Sequence, residues 1–221
     1  MALNLGQQIT TPAQPNIGSP GASYDERFQS QSFGALNTYF SKLTALFAAL
    51  FGPRGGKWIN NPYGAFEDGT DQTAANTTTA YAITFDTTDL SNGVTLSNSS
   101  RLNVAQAGIY NIQFSIQLTN STNASQDVDV WFRKNGTNID KSNSRFGFAP
   151  RKGVGDPFHI VATLNFFVSL AANDYVEIMW RPTDVGVQIE HYAASSSPTR
   201  PIVPSVIVTF TFVSNLSTET A

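Results

Sequence analysis

Residues 107–118 read AGIYNIQFSIQL, from Ala107 to Leu118. Large apolar side chains fall on every second position: Tyr110, Ile112, Phe114, Ile116 and Leu118. Asn111, Gln113, Ser115 and Gln117 fill the places between. Successive side chains of a strand point to opposite faces, so this pattern is a strand with one face in a core and one face outside. Ala107-Gly108 ahead of it reads as a tight start, where small residues let the chain turn inward.

Outward from this strand the same rhythm recurs in short runs. They lie at 80–85, 93–96, 101–104, 128–134, 158–170, 175–180, 187–192 and 206–213, separated by Asn, Gly, Ser and Asp turns. So many short strands without a helical pattern predict a β-sandwich or jelly roll. Asn135-Gly136 predicts a tight hairpin turn. In the last run Val206, Val208, Phe210 and Phe212 share one face, and Ile207, Thr209, Thr211 and Val213 share the other. The second face is too apolar for solvent, so both faces of this strand are expected to meet protein, as beside an oligomer axis.

Upstream the text changes. Residues 1–22 are polar, with Pro12, Pro15 and Pro20, and read as an extended anchoring arm. Residues 23–52 read as a helix, opened by a Ser23-Tyr-Asp-Glu26 capping box and closed by Gly52-Pro53. Within it Leu36, Tyr39, Leu43, Leu46 and Leu50 are spaced as the seam of a coiled coil, and Phe33, Phe40 and Phe47 add a second stripe. That surface suits a trimer or docking on a partner, and equally a helix packed on its own domain. Residues 53–61 form a hinge, 62–216 the β head, and 217–221 a short tail.

The chain has 221 residues, 41% hydrophobic and only 13% charged, so its polarity rests on Asn, Ser, Thr and Gln. A net charge of -3 gives no basic field for nucleic acid. With no Cys, disulfides, thiolate metal sites and Cys nucleophiles are excluded. Residues 1–11 carry no secretory pattern, and the apolar run at 43–51 is too short to span a bilayer, so synthesis in a cytoplasm without membrane insertion is expected.

Several of these residues together resemble the C1q/tumour-necrosis-factor superfamily. Its signature is an extended F/L-x-V segment followed by A-G-x-Y-x-F; here Leu102, Val104, Ala107, Gly108, Tyr110 and Phe114 occupy the pattern. Phe132-Arg-Lys-Asn-Gly136 is similar to the family's hairpin, and Phe210-Thr-Phe212 to its aromatic C-terminal strand. The stretch from Leu170 to Ile178 is similar to its L-x-x-G-D-x-V-x-L, with Asn173 where glycine is usual. The resemblance covers residues 62–216. It implies a jelly-roll head that forms trimers, often at the tip of a stalk. With no Gly-x-y repeat for a collagen stalk, the helix would take that position. The order of arm, helix and head also resembles fibre, knob and decoration proteins of tailed bacteriophages.

Catalytic signals are sparse. His159 and His191 make half of a zinc site at most. Asp127 with Asp129, and Glu67, Asp68 and Asp71 around Gly69, offer carboxylates for Ca²⁺ but lack the EF-hand spacing; a solvated acidic edge that deters strand pairing is the plainer reading of the first pair. No nucleophile elbow or phosphate-binding glycine loop occurs. The connection 144–156, with Arg145, Phe146, Phe148, Arg151 and Lys152, is the candidate partner-binding loop; its plainer reading is a surface loop whose Phe side chains tuck inward.

The expectation is therefore a non-enzymatic virion protein with no catalytic, cofactor or metal site. A homotrimeric fibre or knob, for host-surface adhesion or capsid or tail decoration, would project from the particle, with Tyr110, Phe114, Phe210 and Phe212 in its core and trimer strands. Residues 1–51 would hold it to capsid, portal or tail proteins, and a host-surface receptor or glycan is the outward partner. The alternative is a soluble C1q-like or carbohydrate-binding module outside any virion.

Overall fold

The computed structural model describes residues 12–17, 19, 21, 23–51 and 61–214. The chain forms two compact units, Met1–Asn60 and Asn61–Ala221.

In the first unit a helix, α1, runs from Glu26 to Phe51. Its N-cap is Asp25 rather than Ser23: the Arg27 and Phe28 amides donate to Asp25 Oδ1 at 2.9 and 3.2 Å. A side-chain oxygen can satisfy the free amides of the first turn only from the residue bordering it, and Ser23 stands too far upstream. The Gly52-Pro53 stop, the hinge up to residue 60, most of the arm and the tail lie outside the described residues.

The second unit is a mainly β antiparallel sandwich, compatible with a jelly roll. Its strands are β1 (Tyr63–Asp68), β2 (Tyr81–Ala82), β3 (Thr87–Asn92), β4 (Val94–Ser97), β5 (Arg101–Val104), β6 (Gly108–Asn120), β7 (Gln126–Lys134) and β8 (Thr137–Asn138). There follow β9 (Ser144–Phe148), β10 (Phe158–Leu170), β11 (Tyr175–Pro182), β12 (Val187–Ile189), β13 (Ser195–Ser196), β14 (Thr199–Arg200) and β15 (Val206–Ser214). One sheet runs β10-β6-β15-β1-β3 with β12 also on β6; the other runs β4-β5-β11-β7-β8, with β2 on β11 and β9 on β7. Strand β6 is the spine of the first sheet, paired along its length with β10 and along most of it with β15.

The alternation read from β6 sets the layers. Tyr110, Ile112, Ile116 and Leu118 are fully or almost fully buried, together with Val206, Val208 and Phe210 of β15. They meet Val128, Val130 and Phe132 of β7 and Val176, Ile178 and Trp180 of β11 across the sandwich. Removing such side chains from water is worth about 1.5–3 kcal/mol each, so this inter-sheet layer dominates the stability of the head. Aromatic rings tie the layers: Phe114 and Phe132 lie 5.9 Å apart, and Phe132 stacks on Phe166 at 4.9 Å.

Two turns follow from local chemistry. Asn135 and Gly136 both take positive φ, 48° and 83°, as the two-residue hairpin between β7 and β8 requires. Asn173, with φ 69°, takes the left-handed position that a glycine would otherwise fill; asparagine tolerates it better than most residues. Ala107-Gly108 is corrected. Gly108 has no left-handed φ and turns nothing; a Cβ there would sit 2.4 Å from Phe212 Cε2 and 2.9 Å from the Ser214 carbonyl oxygen. The glycine is needed because the Phe212 ring occupies its side-chain space.

Candidate functional site

The residues singled out from sequence scatter over the head. Tyr110, Phe114 and Phe210 are buried within one subunit, and Phe212 is half-buried against Tyr110 at 5.6 Å. The Tyr110 hydroxyl donates to the Gln106 carbonyl at 2.8 Å. These four are core residues. The same alternation that makes β6 regular turns them toward the opposite sheet.

The connection 144–156 is not a loop throughout. Its first part is β9, paired antiparallel with β7 from Gln126↔Phe148 to Val130↔Ser144. Phe148 is 3% exposed and Phe146 packs against the core, which is the plainer of the two readings of this segment. Arg145 is committed to Asp129, donating to its two oxygens at 2.8 and 3.0 Å. Arg151 donates to the Ser121 carbonyl at 3.4 Å, and Lys152 is exposed. Asp127 and Asp129 do not guard an edge, since β7 has neighbours on both sides.

Asp68, Asp71 and the two histidines are spent on local structure. Asp68, 2% exposed, accepts from the Thr70 amide at 2.7 Å and from Thr84 Oγ1 at 3.1 Å. His191 shares its Nδ1 with Asp71 at 2.7 Å. Burial lifts Asp71, but hydrogen bonds from the His191 backbone and ring outweigh it and leave the carboxyl below its usual range. His159 Nδ1 meets the Tyr192 hydroxyl at 2.7 Å, and that hydroxyl donates to Glu190 at 3.0 Å. Burial and the Glu190 carboxylate push Tyr192 up to about 12. Among the described residues no three His, Cys, Asp or Glu side chains gather as a metal site.

Within the second unit one sheet face stands out. On the outward side of β10, β6 and β15, Phe167 is 58% exposed, Val161 52%, Val213 49% and Ile207 39%. Between β10 and β15 this face holds an open cleft of 480 Å³, floored by Gln113 and Ser115 and walled by Thr163, Asn165, Ile207 and Thr209. It carries no Asp, Glu, Lys or Arg on these three strands, and His159 lies at one end. Four exposed apolar side chains on one sheet face without a charged residue make it a candidate contact surface.

Helix α1 shows a comparable split. Leu36, Tyr39, Leu43 and Leu46 are half-buried. Ala13 and Pro15 of the arm line a cavity with Gly34, Ala35, Thr38, Tyr39 and Lys42 beside that stripe. Phe33, Phe40 and Phe47 face outward at 67%, 57% and 49% exposure. The side chain of Leu50 lies outside the described residues.

No family model matches the chain, and no curated protein matches it.

Proposed function

We propose that this chain is a non-enzymatic structural protein of a tailed-phage particle: a C1q-like head that works as a homotrimer, carried by the arm and helix of residues 1–51. The observation that supports the homotrimer is the uncharged outward face of β10, β6 and β15, with four exposed apolar side chains among Asn, Gln, Ser and Thr. A second and third copy of the chain are its natural cover. A sandwich that already has a full core between its sheets has no internal use for a second apolar surface. The interface would bury Phe167, Val161, Ile207 and Val213 and would need roughly 800 Å² per partner to be stable.

The helix supports the other half of the reading. The outward phenylalanine row, spaced at sevens, gives a surface on which a particle protein can dock, while Ala13 and Pro15 lie beside the opposite stripe. Trimerisation would present three copies of every outward contact of the head, so weak adhesion to a host surface is multiplied by avidity.

The test is incorporation. Particles are assembled with the full chain or with residues 52–221. The proposal expects the full chain in purified particles and the truncated head in solution; a truncated head that joins particles normally overturns the anchor.

A further inference from the structure

The outward face of the other sheet carries a second concavity, of 380 Å³. Its floor is Asp129 of β7, 7% exposed, whose carboxylate also takes a hydrogen bond from Arg181 of β11 at 3.3 Å. Its wall is the indole of Trp131, and its rim is Asp140, Lys141 and Asn143 from the turn after β8.

The geometry is held before any ligand arrives. The Trp131 indole N–H donates to Asn138 Oδ1 at 2.9 Å, which fixes the ring. Ser142, 2% exposed, donates to the Ile139 carbonyl at 2.7 Å and accepts from the Phe132 amide at 3.1 Å. The Ile139 amide donates to the Phe132 carbonyl at 2.9 Å. Lys141 is kept at φ 61°, a conformation that costs a non-glycine residue and places its side chain at the rim. A turn tied to β7 this closely is a preorganised rim rather than a loose loop.

The chemistry selects a ligand class. Arg145, bonded to Asp129, and Asp127 beside it belong to the same charge cluster, so three carboxylates, Asp127, Asp129 and Asp140, balance three cations, Arg145, Lys141 and Arg181, and no net charge draws an anion or a cation. It offers an aromatic face beside fixed donors and acceptors. A pyranose has the matching surface: an apolar C–H face, and hydroxyls that each donate and accept. We propose that this concavity binds the ring of a neutral hexopyranose. The sugar lies on Trp131, and its hydroxyls bond to Asp140, Lys141, Asn143 and Arg181. The site gives the adhesive reading above its ligand class and rests on that reading for its biological use.

The experiment is saturation-transfer NMR on the full chain with the methyl glycosides of galactose, glucose and N-acetylglucosamine at millimolar concentration. Transfer to at least one is expected, lost in Trp131→Ala. Asp140→Ala and Lys141→Ala, both of exposed side chains, should each weaken binding roughly ten-fold without lowering the melting temperature. If Trp131→Ala does not fold, these two variants decide. Immobilised bacterial polysaccharide and glycoprotein N-glycans then separate the two sources of such a ring; capture of either supports the site. No transfer from any glycoside, transfer unchanged in the variants, or preference for a sialic acid over every neutral sugar overturns it. Particle incorporation and oligomeric mass test the parent reading, so the two can fail separately.

Discussion

Gly108→Ala tests whether the opening of β6 is dictated by packing. The new Cβ would meet Phe212 Cε2 at 2.4 Å, Cδ2 at 2.9 Å and the Ser214 carbonyl oxygen at 2.9 Å, where ordinary contact begins at 3.4 Å. The Phe212 ring must therefore give way by roughly 1 Å. Its backbone cannot follow easily, because the Phe212 amide donates to the Pro62 carbonyl at 3.0 Å. The ring must rotate instead and forfeit its edge-to-face contact with Tyr110, at 5.6 Å and 81°. Overpacking costs about 1–3 kcal/mol and the lost ring pair about 0.5–1.5 kcal/mol, so a loss of about 2–3 kcal/mol is expected. For a chain of this size that is a fall in melting temperature of about 4–12 °C, read by calorimetry at fixed protein concentration. Phe212→Ala in the same background should recover part of the loss, since it removes the ring but leaves the carbonyl contact. A Gly108→Ala protein within about 0.5 kcal/mol of the parent, or strictly additive costs in the double variant, would refute the packing explanation.

Other perturbations probe separate parts of the molecule. Glu177, 4% exposed, accepts from Arg133 at 2.9 Å and Ser100 at 3.2 Å, so Glu177→Ala should cost about 1.5–3 kcal/mol in urea unfolding; no loss would mean that the pair adds nothing. Asp129 is held below its usual range chiefly by its Arg145 hydrogen bond, and Asp71 and Asp174 also lie low although burial pulls them upward. Depressed carboxyls give stability that is complete above about pH 4, the unfolded value, and lost as pH falls through the folded ones. The urea midpoint should accordingly fall as pH drops below 4, and a midpoint that rises there contradicts the assignment. Glu67 has the opposite sign: burial, Asp89 and Asp86 raise it, so its charged form is the costly one. Glu67→Gln should melt slightly higher at pH 7 and no higher below pH 4, and a lower melting point at pH 7 would reverse that sign. Phe167→Asp, at a 58% exposed position, should leave the sandwich folded while separating the subunits; an unchanged assembly would clear this face of any role.

The core strands were legible because one of their faces is turned into the core. Residues 101–104 and 158–170 were read with the bounds that β5 and β10 have, since alternation persists wherever a core imposes it. Strand β3, TTDLSN, gave no such signal: five of its six residues are exposed at the sheet edge, so nothing selects apolar side chains there. Strand β1, YGAFED, was hidden by Gly64, which is there because the Phe66 ring fills its side-chain space at 2.5 Å. Strand β9 was read as loop because its two Phe residues are separated by Gly147 and followed by Pro150, which imitate turn chemistry.

Surface function was harder to read for a geometric reason. The outward apolar face of β15 was visible as Ile207 and Val213, but its partners Val161 and Phe167 lie in another strand and are joined to it only through β6. The pocket at Trp131 draws Arg181 from β11, 50 positions away along the chain, and no spacing rule connects them. Tyr110, Phe114, Phe210 and Phe212 lie on the inward faces of their strands, because a strand has two faces and the larger side chains are needed inside.

The trimer is the central claim, and its mass tests it most directly. Light scattering coupled to size exclusion, with the full chain at micromolar concentration, should give three times the 23.9 kDa chain mass, and Phe167→Asp should return a single chain of unchanged fold. A parent protein that elutes at 23.9 kDa would contradict the account.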